Sequence, residues 1–223
     1  MELFVYQGYQ ATGLAQIAKK AGAKPGSLYY FFPTKEELLA ATLEKRKVLL
    51  WPEVLQPIWD NIDDPIERVF GLLAGYRRML QFTEFSHGCP IGNLVLELAE
   101  SHPHTRTLLA ENFDGWIAAV RECFVEAKDR LPEGIDPNGL AVFVLVTMEG
   151  AVMLARTYRS FDAYDAAIVF LRDYVERLIQ GGTQWANPKW SHGRGWPDWP
   201  PGNPGSTSGS TATESQKQAG DAP

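Results

Sequence analysis

Cysteine is nearly absent from this chain, with only Cys89 and Cys123 in 223 residues. Two thiols in a chain of this size make no disulfide framework, and their spacing is not that of a zinc site. Long uninterrupted apolar runs are missing as well. Charged residues recur throughout, and no run approaches the roughly 18 to 20 apolar residues that cross a bilayer, so no membrane partner is expected. The opening MELFVYQGYQ has no basic region, apolar core or small-residue cleavage site of the kind a signal peptide carries, which places the expected location in the cytoplasm. Alternation of apolar and polar residues never persists long enough to specify a strand. No Ser-His-Asp order, glycine-rich phosphate loop or nucleophile elbow is present, so an enzyme is not expected. Glu97, Glu100 and His104 approach metal-ligand spacing, but Pro103 breaks the helix between them, and neither metal nor cofactor is expected.

Helical periodicity is present almost everywhere. The composition, 45% hydrophobic and 22% charged, suits one large or two small globular domains, and the expected fold class is all-α. Thr34 with Glu37 three residues on reads as a capping box. The helix that follows carries Leu38, Leu39, Leu43, Leu49 and Leu50 as far as Trp51, where Pro52 is expected to break or kink it. Asp64-Pro65 and Asp136-Pro137 repeat a cap-then-proline start. Helices are expected over 65–83, 90–102, 104–131, 138–158 and 162–180. The one over 138–158 is apolar nearly all round and must be covered on several sides. Its small residues Gly150, Ala151 and Ala155 permit close approach by another helix. From Thr183 onward Gly, Pro, Ser and Thr dominate, which reads as a disordered tail over 183–223. Trp185, Trp190, Trp196 and Trp199 lie in it, either as a docking motif or as part of an unselected extension.

Net charge is -6, yet it is unevenly spread. Residues 1–50 hold seven Lys/Arg against four Glu, and the rest of the chain holds fourteen basic against twenty-three acidic residues. A basic head on an acidic body suits a protein of which only the head meets phosphate; ordinary surface scatter is the alternative. The head contains the most informative stretch, TGLAQIAKKAGAKPGSLYYFF. Leu14, Ile17 and Ala18 give a first short helix one buried face, with Thr12 as its expected cap. Gly22 supplies the left-handed position that ends the helix and turns the chain. Pro25, Gly26 and Ser27 open a second short helix. The pattern is a helix-turn-helix over 13–32, from Gly13 to Phe32.

The string ELF...GY at Glu2 to Tyr9, T-x-x-x-x-IA at Thr12 to Ala18, then AG, then GSLYYFF-x-x-KEEL from Gly26 to Leu38 resembles the TetR family of bacterial transcriptional regulators. The later strings Gly88-Cys89-Pro90-Ile91-Gly92-Asn93-Leu94 and Met148-Glu149-Gly150-Ala151 resemble ones common in a subgroup of that family. The resemblance runs to about Gln180. It implies a helix-turn-helix domain over 1–47, a helical ligand-binding and dimerisation domain over 48–182, double-stranded operator DNA as partner, repression as the default mode and a small-molecule inducer. Family members usually carry a further dozen or so residues ahead of the ELF string. Either the true start lies upstream, or the first helix is truncated and the chain is a helical dimer that binds a ligand or partner without DNA. Many members also have Lys where Pro25 stands, which moves the expected phosphate contact to Lys24.

With that family geometry, Ser27, Tyr29 and Tyr30 are expected on the DNA-facing side. Thr12, Gln16, Lys24, Gly26 and Lys35 are expected near phosphate, and Leu28, Phe31 and Phe32 inside. Tyr29 and Tyr30 point about 100° apart, so both cannot close the same small core. The helices over 138–158 and 162–180 are expected to form a two-fold homodimer interface on a near-palindromic operator. The family analogy places an apolar or aromatic inducer among Met79, Phe82, Cys89, Asn93, Phe113, Trp116, Met148 and Met153. Cys89 precedes Pro90 at a helix start, where the dipole lowers a thiol pKa, so it is either an electrophile sensor or an inert thiol.

Overall fold

A computed structural model describes residues 1–181, and every regular element in that span is helical. The tail over 183–223 and its four tryptophans lie outside the described residues. Ten α-helices follow one another: α1 (Glu2–Gln7), α2 (Leu14–Lys20), α3 (Pro25–Phe31), α4 (Lys35–Leu49), α5 (Gln56–Trp59), α6 (Pro65–Phe82), α7 (Pro90–Leu98), α8 (Pro103–Glu126), α9 (Pro137–Tyr158) and α10 (Asp162–Ile179).

The helix starts follow local chemistry. The Thr34 hydroxyl accepts from the Glu37 amide at 3.1 Å, and the Glu37 carboxylate accepts from the Thr34 amide at 3.0 Å. Asp64 accepts from the amides of Ile66 and Glu67, and Asp136 from those of Asn138 and Gly139. Each bond satisfies a first-turn N–H that has no partner within its own helix. The cap of α2 differs from expectation. Gly13, not Thr12, precedes the helix, and the Gln16 side chain accepts from the Gly13 amide at 2.9 Å. Thr12 is buried, its hydroxyl donating to Gly8 O at 2.6 Å. Gly22 has φ +64, the left-handed turn that the sequence requires.

Pro52 does not break the chain direction. Residues Leu50–Leu55 widen into a π-helical turn, and helix resumes as α5 up to Trp59. The wider spacing accommodates a residue without an N–H, where an α-helical turn would have had to break. Trp59 is then anchored by its indole N–H, which donates to Arg68 O at 2.8 Å.

Two cores result. The larger joins α5, α6, α8, α9 and α10 around Leu73, Phe124, Met148 and Tyr164. The Tyr164 hydroxyl donates to Leu73 O at 2.7 Å, satisfying a polar group that is otherwise sealed from water. The smaller core draws Phe4 and Tyr9 from the head, Leu39 and Leu43 from α4, Ile91, Leu94 and Leu98 from α7, and Leu108 and Leu109 from α8. The head therefore shares its apolar interior with the body.

Helix α9 is the centre of the larger core, yet it is covered on one face only among the described residues. Leu140, Val144, Leu145, Met148, Ala151, Val152 and Ala155 are buried, whereas Phe143, Val146, Met153, Leu154 and Tyr158 are exposed. Ala151 and Ala155 face inward. A Cβ on Gly150 would meet nothing within 4 Å, so Gly150 belongs to the open face. With a mean hydropathy of 1.8 over its most apolar stretch, α9 is long and apolar enough to cross a membrane by length and composition. The sequence reading missed this because Glu149 interrupts the run. The apolarity has a packing cause, since one face fills the core.

Leu94 is fully buried at the centre of the smaller core. Leu94→Ala is expected to lower the unfolding free energy by about 2–5 kcal/mol, read as a lower urea midpoint at unchanged slope.

Candidate nucleic-acid interface and ligand cavity

The second helix of the helix-turn-helix, α3, stands out from the body. Tyr29, Tyr30 and Phe31 are 49%, 81% and 70% exposed. Leu28 and Phe32 are half-buried and seat the helix, chiefly on α2. Phe31 corrects the expectation that it lies inside. Its ring meets Tyr30 edge-on, with centroids 5.2 Å apart, and adds to the exposed aromatic surface. Lys24, Gly26 and Ser27 are exposed at the same end. Five of the eight expected DNA-contact residues thus share one open surface: Lys24, Gly26, Ser27, Tyr29 and Tyr30.

The other three are engaged within the chain. Thr12 is buried. Gln16 is exposed, but its carbonyl oxygen accepts from the Gly13 amide and from the Gln7 side chain. Lys35 donates to Tyr9 O at 2.8 Å, and its ammonium sits 4.2 Å from the centroid of the Tyr9 ring. That arrangement combines a charge-assisted hydrogen bond with a cation–π contact. It ties the start of α4 to the end of α1.

Glu97, first considered with Glu100 and His104 as a metal ligand, has a different role. Its carboxylate accepts from the amides of Tyr9 at 2.9 Å and Gln10 at 3.1 Å. A Cβ on Gly8 would stand 2.7 Å from this carboxylate, and Gly8 also has φ +85, so the residue before Tyr9 has to be glycine on both counts. The charged end of α7 thereby holds the turn between α1 and α2. Sequence reasoning missed this link because the partners are backbone amides 87 and 88 positions away.

The expected inducer residues do not surround one space. Cys89, Asn93, Phe113 and Met153 line an open cavity of about 840 Å³. Trp116 and Met148 line a neighbouring cavity of about 140 Å³, with Cys89, Phe113 and Glu149 common to both walls. Met79 belongs to a separate groove of about 510 Å³. Phe82 lines none of them. It ends α6 and is 90% exposed, which removes it from the expected set.

The larger cavity carries two charged side chains that the sequence reading did not single out, Glu149 in the wall shared with the smaller cavity and Arg156 in the larger one alone. Glu149 and Arg156 lie two turns apart on α9. A Cβ on Gly92 would run into the Glu149 carboxylate, and a Cβ on Gly88 would stand 2.8 Å from the Arg156 side chain. The two strings that resemble a family subgroup therefore meet in space at Gly92 and Glu149, while Gly88 admits Arg156 from further along α9. Burial holds the Glu149 carboxyl above the usual carboxylate range. Arg156 donates to Asn93 Oδ1 at 2.7 Å. Across the cavity Glu84 and Phe85 have φ values of 48 and 59, a strained pair that holds Phe85 against the ring of Phe161.

Cys89 does not have the environment of a sensor. It is buried, and burial followed by the nearby Glu149 carboxylate pushes its thiol far above the ordinary range. The helix-start effect expected from sequence is outweighed by desolvation. Burial also raises the Cys123 thiol, to about 11.

A helix-turn-helix head with an exposed second helix, seated on an all-α body, defines a class of DNA-binding regulator. The family model described as bacterial regulatory proteins, tetR family, matches residues 1–42, and the one described as tetracyclin repressor-like, C-terminal domain, matches residues 65–171. The chain is 33% identical over 155 residues to the HTH-type transcriptional regulator YxaF of Bacillus subtilis, covering 70% of this chain and 80% of that protein. It is 24% identical over 180 residues to the HTH-type transcriptional repressor DhaR of a Mycobacterium species, covering 80% and 87% of the two chains. Among solved structures, the reduced form of NemR from Escherichia coli superposes with a TM-score of 0.65 at 22% identity, covering 77% of this chain and 90% of that one. The chain belongs to the TetR family and is a DNA-binding transcriptional regulator, not an enzyme.

Native Cys89 and Cys123 are expected to react with a thiol reagent at pH 7.5 at least ~100-fold more slowly than free cysteine, because the thiolate is the reactive form. Denaturant is expected to restore full reactivity, read as absorbance of the released chromophore. Rapid native labelling of Cys89 would reinstate the sensor.

Proposed function

We propose that this regulator is a repressor that binds a near-palindromic operator as a homodimer and is released when a small molecule occupies its helical body. The carrying observation is the uncovered apolar face of α9 and α10. Val142, Phe143, Val146, Met153 and Leu154 on α9, with Val169 and Phe170 on α10, are all exposed. An apolar stripe of this length on two adjacent helices is the surface that a second copy would cover, giving a four-helix interface. Gly150, open in the same stripe, lets two α9 helices approach closely.

The head supports the same reading. One α3 neutralises few phosphates and binds weakly, and two heads fixed by a dimer multiply affinity. Residues 1–47 act as the DNA-reading part and 48–182 as the sensing and dimerising part, although they share the core around Leu94. Repression agrees with the name of the relative DhaR, an HTH-type transcriptional repressor. The site of action is the cytoplasm, where the operator lies.

Val146→Glu is expected to convert the dimer to a monomer at micromolar concentration in analytical ultracentrifugation; a wild-type monomer would overturn the interface. Lys24→Ala is expected to lower the slope of log affinity against log salt by about 1, and Tyr30→Ala to weaken operator binding at least ~10-fold by fluorescence anisotropy. An operator selected from random duplexes serves as the probe. Failure of wild type to select any duplex would instead favour a helical dimer that binds ligand without DNA.

A further inference from the structure

The larger cavity is bounded by α7, α8 and α9, and its wall mixes aromatic surface from Tyr6, Phe85 and Phe113 with polar groups that include Asn93, Thr157 and Arg159. Against that background two polar atoms stand out. Glu149 Oε1 and Arg156 Nε are both closed off from water, and neither has a hydrogen-bond partner among the described residues. Buried polar atoms are nearly always paired, so two orphans on side chains that line one cavity call for an explanation. The remaining atoms of both side chains are placed: Glu149 Oε2 lies over Gly92, and the Arg156 Nη1 edge holds Asn93. Gly88 and Gly92 have no side chains in the space these two groups occupy, so the fold makes room for the uncompensated pair.

The chemistry of the pair is directional. The Cys89 thiol is the neighbour of the Glu149 carboxyl, but Glu149 Oε1 itself has no donor, and Arg156 Nε has no acceptor. Residues seven apart on a helix are separated by about 10 Å along its axis. The guanidinium edge accepts a carboxylate through two parallel hydrogen bonds. Glu149 stands in the wall common to the two cavities, and its terminal torsion is broad, so a small turn of the carboxylate presents Oε1 to an occupant.

We propose that this cavity binds an aromatic carboxylic acid about 10 Å long that carries a hydroxyl or amino donor at the end opposite its carboxylate. The donor satisfies Glu149 and the acid satisfies Arg156, while the ring lies against the aromatic wall. The inference rests on the reading that the helical body senses a small molecule, and it replaces a purely apolar inducer with a two-ended one. Occupation bridges α9 to the end of α7 that holds Asn93.

Calorimetry on the full chain tests this with four probes: 4-hydroxycinnamate, 4-aminocinnamate, cinnamate and the methyl ester of 4-hydroxycinnamate. The two donor-bearing acids are expected to bind at least ~10-fold more tightly than cinnamate or the ester, and their ratio to each other tells hydroxyl from amine. Glu149→Leu is expected to bring 4-hydroxycinnamate to within about twofold of cinnamate, and Arg156→Gln to bring it within about twofold of the ester. Circular dichroism melts check that each variant folds, and if either does not, the wild-type ranking decides alone. Equal affinity for all four probes, or no heat from any at millimolar concentration, overturns the proposal. Operator binding without ligand is measured separately, so loss of DNA binding speaks against the regulator reading and leaves the ligand ranking standing as its own result.

Discussion

The structure depends on how α7 is packed. It is nine residues long and has work on every side. Ile91, Leu94 and Leu98 fill the core beneath the head. Gly92 and Asn93 meet α9 at the cavity wall. Glu97 at its C-terminal end holds the amides of Tyr9 and Gln10. A helix this short has no slack, so displacing one side of it shifts the others. The link between head and body therefore runs through α7 together with the packing of α4 on α8, a contiguous set of packed elements of the kind that can carry coupling between two sites.

Around this element the chain places polar groups where apolar ones would pack more cheaply. Asn112 is buried and donates to Leu43 O and Leu108 O, fixing α8 against the end of α4. Lys35 reaches back to Tyr9 O. Both bonds are satisfied within the fold and specify the seat of the head. Glu149 Oε1 and Arg156 Nε are buried without that satisfaction. The Trp116 indole N–H, in the wall of the smaller cavity, is the third buried polar atom without a partner among the described residues, so the unpaired groups gather around the two adjoining cavities.

What was legible in the sequence was local. Gly22, Thr34, Asp64 and Asp136 act within a few residues of themselves, so turn and cap chemistry located them correctly. The failures are tertiary. Thr12 has the chemistry of a cap or a phosphate contact, but its neighbours turn it inward onto Gly8 O. Lys35 has the chemistry of a phosphate contact, but the end of α1 lies within its reach. Phe31 and Phe82 are apolar and read as interior residues, yet each sits at its helix end and stays largely exposed, Phe31 meeting only the equally exposed ring of Tyr30. The inducer set was chosen by residue type, which carries no direction, so it scattered over three cavities. Glu149 and Arg156 were overlooked because charged residues on an apolar helix read as its exposed face. Only the glycines packed against them reveal otherwise.

Those glycines carry a consequence for descent. Gly92 is the mould of the Glu149 carboxylate, and Gly88 that of the Arg156 side chain. A side chain at 92 would make the Glu149 carboxylate move aside, and loss of the acid would leave a hole that a small residue at 92 could fill. Among relatives the two positions should therefore drift together, as a matched lock.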